Sequence, residues 1–169
     1  MRFLILFIFL ITNVFANDVS EIKNIVIHKD AKTLNNVIFL DKKDHKINIS
    51  NFVGNLIILN FWATWCEPCK EEMPSLDRLQ VDPMLINLKV FAINIGKKNK
   101  NKVNKFFEDL NIKNFEPYFD PSTTLAKKFS LRGVPTSILI DKNGQEFARI
   151  IGSIDFDDKK FIDWLKTYN

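Results

Sequence analysis

Seven consecutive residues, Leu56-Ile57-Ile58-Leu59-Asn60-Phe61-Trp62, limit the folds open to this chain more than any other stretch. A nearly unbroken apolar run of this length, with no polar alternation, reads as a strand covered on both faces. Beyond it, Met73, Leu76 and Leu79 recur at intervals of three, the signature of one helix face. Between strand and helix lies Trp65-Cys66-Glu67-Pro68-Cys69-Lys70, which holds the only two cysteines of the chain. The first cysteine therefore falls at or just before a helix N-terminus.

That position has chemical consequences. Unpaired N–H groups and the helix dipole favour negative charge there, so a Cys66 thiolate forms at lower pH than in a free peptide. Cys69, one turn later, can reach back to Cys66 and close a short ring. Pro68 suits a first helical turn, where its missing N–H has no partner to lose. The competing readings are half of a zinc site or two unrelated core cysteines. Zinc takes about four ligands, and the only histidines, His28 and His45, lie well upstream in polar surroundings. Redox chemistry is the better reading of the pair.

The N-terminus sets the compartment. Arg2 supplies a positive start, Phe3 to Ile11 is unbroken apolar sequence, and Val14-Phe15-Ala16 offers small residues where a signal peptidase reads. Phe3–Ala16 would span only about 21 Å as a helix, short of a hydrocarbon core of roughly 30 Å. Residues 1–16 are thus expected to be a signal peptide, with an uncleaved anchor as the alternative. In exported proteins cysteines usually serve as staples, but a pair two residues apart closes too small a loop to constrain much. A chain of this length can bury an adequate core unaided, so the pair is better explained as working chemistry. The net charge of +4 and a pI near 9.0 raise the question of nucleic acid. Lysine and asparagine are spread through every polar segment, however, and the densest run, Lys97-Lys98-Asn99-Lys100-Asn101-Lys102, reads as a solvated loop between a strand and a helix. No nucleic-acid partner is expected.

Residues 17–33 read as a polar N-terminal arm with an apolar patch at Ile25-Val26-Ile27, and residues 34–169 as one domain. Val37–Leu40 and Lys46–Ile49 form two short strands around the turn 41–45, with His45 exposed in it. Ser50 is a candidate cap for a helical turn ending at Gly54. The central strand over 55–62 and a helix over 67–80 follow, with a kink expected at Pro74. Val90–Ile95 is the next buried strand, and Val103, Phe106, Phe107 and Leu110 mark an amphipathic helix. Tyr118-Phe119 is a short strand leading to a helix over 122–130, with Leu125, Ala126 and Phe129 inward. Thr136–Ile140 and Glu146–Ile151 form a hairpin about Asn143-Gly144. Asp155 is a candidate cap for a last helix that buries Phe161, Trp164, Leu165 and Tyr168. Strands alternating with helices and then a closing hairpin give an α/β sandwich with a mixed central sheet.

Two motifs together resemble a known family. Trp65-Cys66-Glu67-Pro68-Cys69 after a buried strand, with Gly133-Val134-Pro135-Thr136 opening a later one, is similar to the thioredoxin fold. The resemblance implies a three-layer sandwich, here with an N-terminal β-hairpin extension and an inserted helix over Val103–Leu110. It also implies a cis Pro135 beside the CxxC, a Val134 backbone that pairs with a substrate strand, and substrate contacts from Trp65, Glu67 and Pro68. The longer stretch Phe61 to Pro74 resembles the exported TlpA/ResA/CcmG branch. Ser75 to Gln80 and Tyr118-Phe119-Asp120-Pro121 favour the TlpA type, whereas the Glu67-Pro68 dipeptide is more typical of the ResA type.

One departure from thioredoxin bears on mechanism. Thioredoxin carries a buried aspartate six residues before its first cysteine, and here that position is Asn60, which cannot take up a proton. Glu72, three residues after Cys69, shares its helix face, and in the ResA-like branch the matching glutamate is a buried acid. Glu72 is therefore the candidate proton-transfer group, with Cys66, Cys69 and Pro135 the other candidate catalytic residues. The resemblance implies an exported, monomeric protein-disulfide reductase with no metal and no cofactor beyond the redox-active Cys66–Cys69 pair. It implies a membrane thiol carrier of the DsbD/CcdA kind as electron donor, and apocytochrome c or copper-site assembly proteins as clients. A disulfide oxidase or isomerase would use the same chemistry under a different potential. A peroxiredoxin would carry threonine where Ala63 stands, and a copper-binding assembly protein of the Sco type would want a histidine after residue 45.

Overall fold

The computed structural model describes residues 22–169. The signal segment expected over 1–16, and residues 17–21 of the arm, lie outside the described residues.

The apolar run forms β4 (Leu56–Trp62), buried at every position. Strand period two sends its side chains alternately to the two faces. Leu56, Ile58 and Trp62 join one core cluster, and Ile57, Leu59 and Phe61 the other. The strand can be almost wholly apolar only because both faces are covered. The first face packs on α1 (Glu67–Leu79), α2 (Lys100–Asp109) and α4 (Lys159–Leu165). The second packs on α3 (Thr124–Lys128) and a 3₁₀ turn over Ile49–Phe52. This is the expected three-layer sandwich.

The remaining strands are β1 (Ile25–Thr33), β2 (Ile38–Leu40), β3 (Lys46–Asn48), β5 (Leu88–Ile95), β6 (Pro117–Asp120), β7 (Thr136–Ile140) and β8 (Gln145–Ile151). Among the described residues they form one mixed sheet in the order β1-β8-β7-β4-β5-β6-β2-β3. β4, β5 and β6 run parallel, while β7 lies antiparallel to β4 and pairs with β8 through the hairpin. The β2–β3 hairpin extends the sheet beyond β6, as expected.

Three local readings are refined. The arm segment, whose packing the sequence does not reveal, supplies β1, an edge strand on β8 with a register shift between Ile27 and Lys32. His28 Nε2 on this strand lies 2.6 Å from the buried Glu146 Oε1, and Arg149 also pairs with that carboxylate. Asn48, not Ser50, caps the 3₁₀ turn, its side chain accepting from the Ser50 N–H at 3.1 Å. Asp158, not Asp155, caps α4. The reason is tertiary: Ser75 Oγ on α1 accepts the Phe156 N–H at 3.0 Å, so the chain is held there and turns once more before the helix starts. α1 continues through Pro74 to Leu79.

Candidate functional site

β4 delivers the chain to a tight turn in which the Cys66 N–H donates to the Ala63 carbonyl at 3.1 Å. Cys66 is the N-cap of α1, with extended backbone, and Glu67 and Pro68 fill the first helical positions. Pro68 thus stands where a missing N–H leaves nothing unpaired. One turn on, the Cys69 N–H points back and donates to Cys66 Sγ at 3.2 Å. The two sulfurs are joined in a disulfide, their Cα atoms 5.3 Å apart. Cys66 retains 3 % exposure and Cys69 none, so the first sulfur is the one a partner can reach. In a reduced chain the same Cys69 N–H, with the helix dipole, would favour a Cys66 thiolate. Trp65 stands out beside it at 75 % exposure. Glu67 and Pro68 are also exposed, and Glu67 is paired with Lys70 at 2.7 Å.

The second motif arrives from across the sheet. Phe61 faces Thr136 and Asn60 faces Ser137 in the β4–β7 register, which brings the residues before β7 to the end of β4 that leads into Cys66. The Val134–Pro135 bond is cis, as the resemblance implies. Val134 packs against the cluster that contains Cys66 and Cys69.

Where α1 packs against β4 lies a small buried polar group. Asn60 Nδ2 donates to Glu72 Oε1 at 2.7 Å and to Ser137 Oγ at 3.0 Å. Glu72 is 2 % exposed, unlike its neighbour Glu71, which faces solvent. Burial disfavours the ionised carboxylate and pushes its pKa up to about 8, against weaker opposing effects of Asn60 and the Ile154 backbone. Glu72 Oε2 and Asn60 Oδ1 have no hydrogen-bond partner among the described residues. A carboxyl held near neutrality, on the same helical face as Cys69, can take or give a proton. Ser137 escapes sequence reasoning, because only strand register brings it to Asn60.

Two sulfurs in exchange range, on this fold and with a buried acid of this kind on the same helix, define the class: a thioredoxin-like thiol-disulfide oxidoreductase. Residues 27–145 match the AhpC/TSA family, and the chain belongs to that family. The thiol-disulfide oxidoreductase ResA of Geobacillus kaustophilus is 32 % identical over 121 residues, covering 72 % of this chain and 68 % of its own length. ResA of Bacillus subtilis is 28 % identical over 119 residues, covering 70 % and 65 %. The chain thus spans about two thirds of the length of the curated relatives it matches. The structure of StoA from Bacillus subtilis matches with a TM-score of 0.61 at 25 % identity, over 78 % of this chain and 93 % of that one. A DsbE-type thiol:disulfide interchange protein from Chlorobium tepidum matches in fold with a TM-score of 0.68 at 24 % identity, over 80 % and 96 %. These curated relatives carry the ResA name, the type to which the Glu67-Pro68 dipeptide points. They do not carry the TlpA name that Ser75–Gln80 favours.

Proposed function

We propose that the chain is an exported protein-disulfide reductase whose working parts are Cys66, Cys69, Glu72 and the Val134–Pro135 segment. The observation that carries this reading is the disulfide itself: one sulfur at a helix N-cap reachable from outside, the other buried one turn along the same helix, three residues before Glu72. In the reduced chain the Cys66 thiolate attacks one sulfur of a partner disulfide. A mixed disulfide forms and the partner's other sulfur leaves as a thiolate, which takes a proton. Cys69 then loses its proton to Glu72 in its ionised form, the minority form below about pH 8, and attacks Cys66 Sγ. The second partner sulfur departs as a thiolate that takes the proton held by Glu72, and Cys66–Cys69 is left oxidised. Two electrons have passed to the partner, with one proton from Cys69 and one from solvent, and an external dithiol must return the electrons.

The site residues fit roles in that sequence. Trp65, Glu67 and Pro68 surround the entry to Cys66, and the Val134 backbone is free to align an extended partner segment beside it. No cofactor beyond the cysteine pair enters the scheme. Among the described residues no helix is long and apolar enough to cross a membrane, and export rests on the apolar run before Ala16. The finer assignment follows the resemblance: clients among apocytochrome c or copper-site assembly proteins, a DsbD/CcdA-type membrane carrier as donor, a monomeric chain and no nucleic-acid partner.

The test is to trap partners in vivo with Cys69→Ala, which leaves Cys66 unable to resolve its mixed disulfide, and to identify what it holds. Captured cytochrome or copper-site assembly proteins support the finer assignment. Capture of general oxidative-folding components instead would replace it, and no mixed disulfide at all would overturn the exchange mechanism.

A further inference from the structure

The basic run Lys97–Lys102 divides in two in the folded chain. Lys98 and Lys100 both pair with Asp44 in the β2–β3 turn, and Lys98 lies 4.4 Å from the centre of the Phe119 ring. Lys97 and Lys102 have no carboxylate partner among the described residues. They border a cavity of about 260 Å³ that Thr64 and Trp65, the residues directly before Cys66, also line. Asn94 and Val103 also line it. Trp62 lies beside Asn94 in the parallel β4–β5 register, so the groove opens at the carboxyl ends of two parallel strands. Open α/β sheets take their ligands at that end.

The chemistry of the groove is specific in sign. The two ammonium groups are left uncompensated, while the acidic residue of the CxxC, Glu67, is already tied to Lys70. Beside them stands a large exposed indole, the kind of anchor on which binding energy concentrates. Cationic groups flanking an aromatic anchor complement an acidic, partly apolar segment, and they speed encounter as well as hold it.

We propose that this groove selects partner proteins whose exchanging disulfide is flanked by aspartate or glutamate, with Lys97 and Lys102 pairing to those side chains while Trp65 covers the apolar part. The inference rests on the exchange mechanism above and adds a specificity to it. The exchange step is unchanged; only the approach of the partner to Cys66 is biased.

The experiment compares three synthetic disulfide peptides that differ only in flanking residues, acidic, neutral amide or lysine, each reduced by the full reduced chain at low ionic strength. The wild-type chain should reduce the acidic peptide faster than the neutral one by roughly 2- to 30-fold, the range for two exposed ion pairs. That ratio should shrink at about 1 M salt, where screening is nearly complete. Lys97→Gln with Lys102→Gln should bring the ratio close to one, and the charge-reversed Lys97→Glu with Lys102→Glu should invert it toward the lysine peptide. Lys46→Gln with Lys89→Gln makes the same change in net charge away from the groove and should keep the wild-type ratio. A wild-type ratio of one, or a preference that survives in the Lys97 and Lys102 variants, overturns the proposal. The first result is also what a groove serving an anionic lipid surface would give. Failure of the wild-type chain to reduce any of the three peptides would instead remove the exchange mechanism.

Discussion

The proton on Glu72 can be read from stability alone, independently of any substrate. In the unfolded chain this carboxyl ionises near its ordinary 4.5, while burial holds it protonated in the folded chain up to about 8. Between those values the native state keeps a proton that the unfolded state has lost, so stability falls as pH rises through the window. The slope is at most about 1.4 kcal/mol per pH unit, and the whole window amounts to roughly 5 kcal/mol as an upper figure. That is a large fraction of a domain stability of about 5–15 kcal/mol. Glu72→Gln keeps the size of the side chain and removes the titration. Asn60 can accommodate the new amide by turning over, because its Oδ1 has no partner now. Urea unfolding of the oxidised wild type and the variant should give similar stabilities near about pH 5. The variant should then pull ahead progressively, by several kcal/mol at about pH 8, with no further divergence above that. Other titrating groups are common to both proteins and cancel in the difference. Two parallel pH profiles would refute the reasoning, since they would mean that Glu72 ionises as an ordinary carboxyl and cannot exchange a proton with Cys69 near neutrality.

Two further outcomes concern the frame around the site. The Asp120 carboxylate, at the end of β6, accepts the N–H groups of Thr124, Leu125 and Ala126 at 2.9, 2.9 and 3.1 Å, and so caps α3 from the strand before it. Asp120→Ala should lower unfolding free energy by about 2 kcal/mol, measured in urea at neutral pH; a loss below about 0.5 kcal/mol would mean that water replaces the cap. For Glu146, burial alone would raise the carboxyl, but Arg149 and His28 more than reverse this and hold it below 4.5. Its contribution is therefore present above the unfolded value and lost as pH falls through the lower folded one. Glu146→Gln should cost about 3 kcal/mol near neutrality, largely by leaving Arg149 without its partner, and should flatten the acid limb of the stability profile. Amide exchange should quicken first in β1, whose His28 loses its anchor; uniform exchange along the sheet would argue against that docking role.

The architecture was largely legible from residue patterns, and the reason is periodicity. A short apolar run without alternation reads as a strand buried on both faces, and β4 is that strand. The inserted helix, the hairpin extension and the closing hairpin each carry a pattern long enough to read. Helix and turn starts were less secure, because several side chains in a row can cap. Asp155 and Asp158 are both competent, and it is Ser75 gripping Phe156 that selects the second.

The site shows the same division more sharply. Sequence alone determined that two cysteines stand at a strand-to-helix junction, since adjacent residues cannot be far apart whatever the fold. It also showed that Asn60 cannot relay a proton and that Glu72 shares the helical face of Cys69. What only the tertiary structure decided are the relations between distant segments. The antiparallel register of β7 on β4 sets Ser137 against Asn60 and carries the cis Val134–Pro135 bond to the cysteine end of the sheet. Packing of α1 on β4 buries Glu72 and leaves Glu71 in solvent, although the two are indistinguishable as letters. The lysine run is the clearest case. Four lysines in a run that reads as one solvated loop become two paired with Asp44 and two lining a cavity with Trp65, because charge pairing depends on distances through space that a linear spacing does not contain.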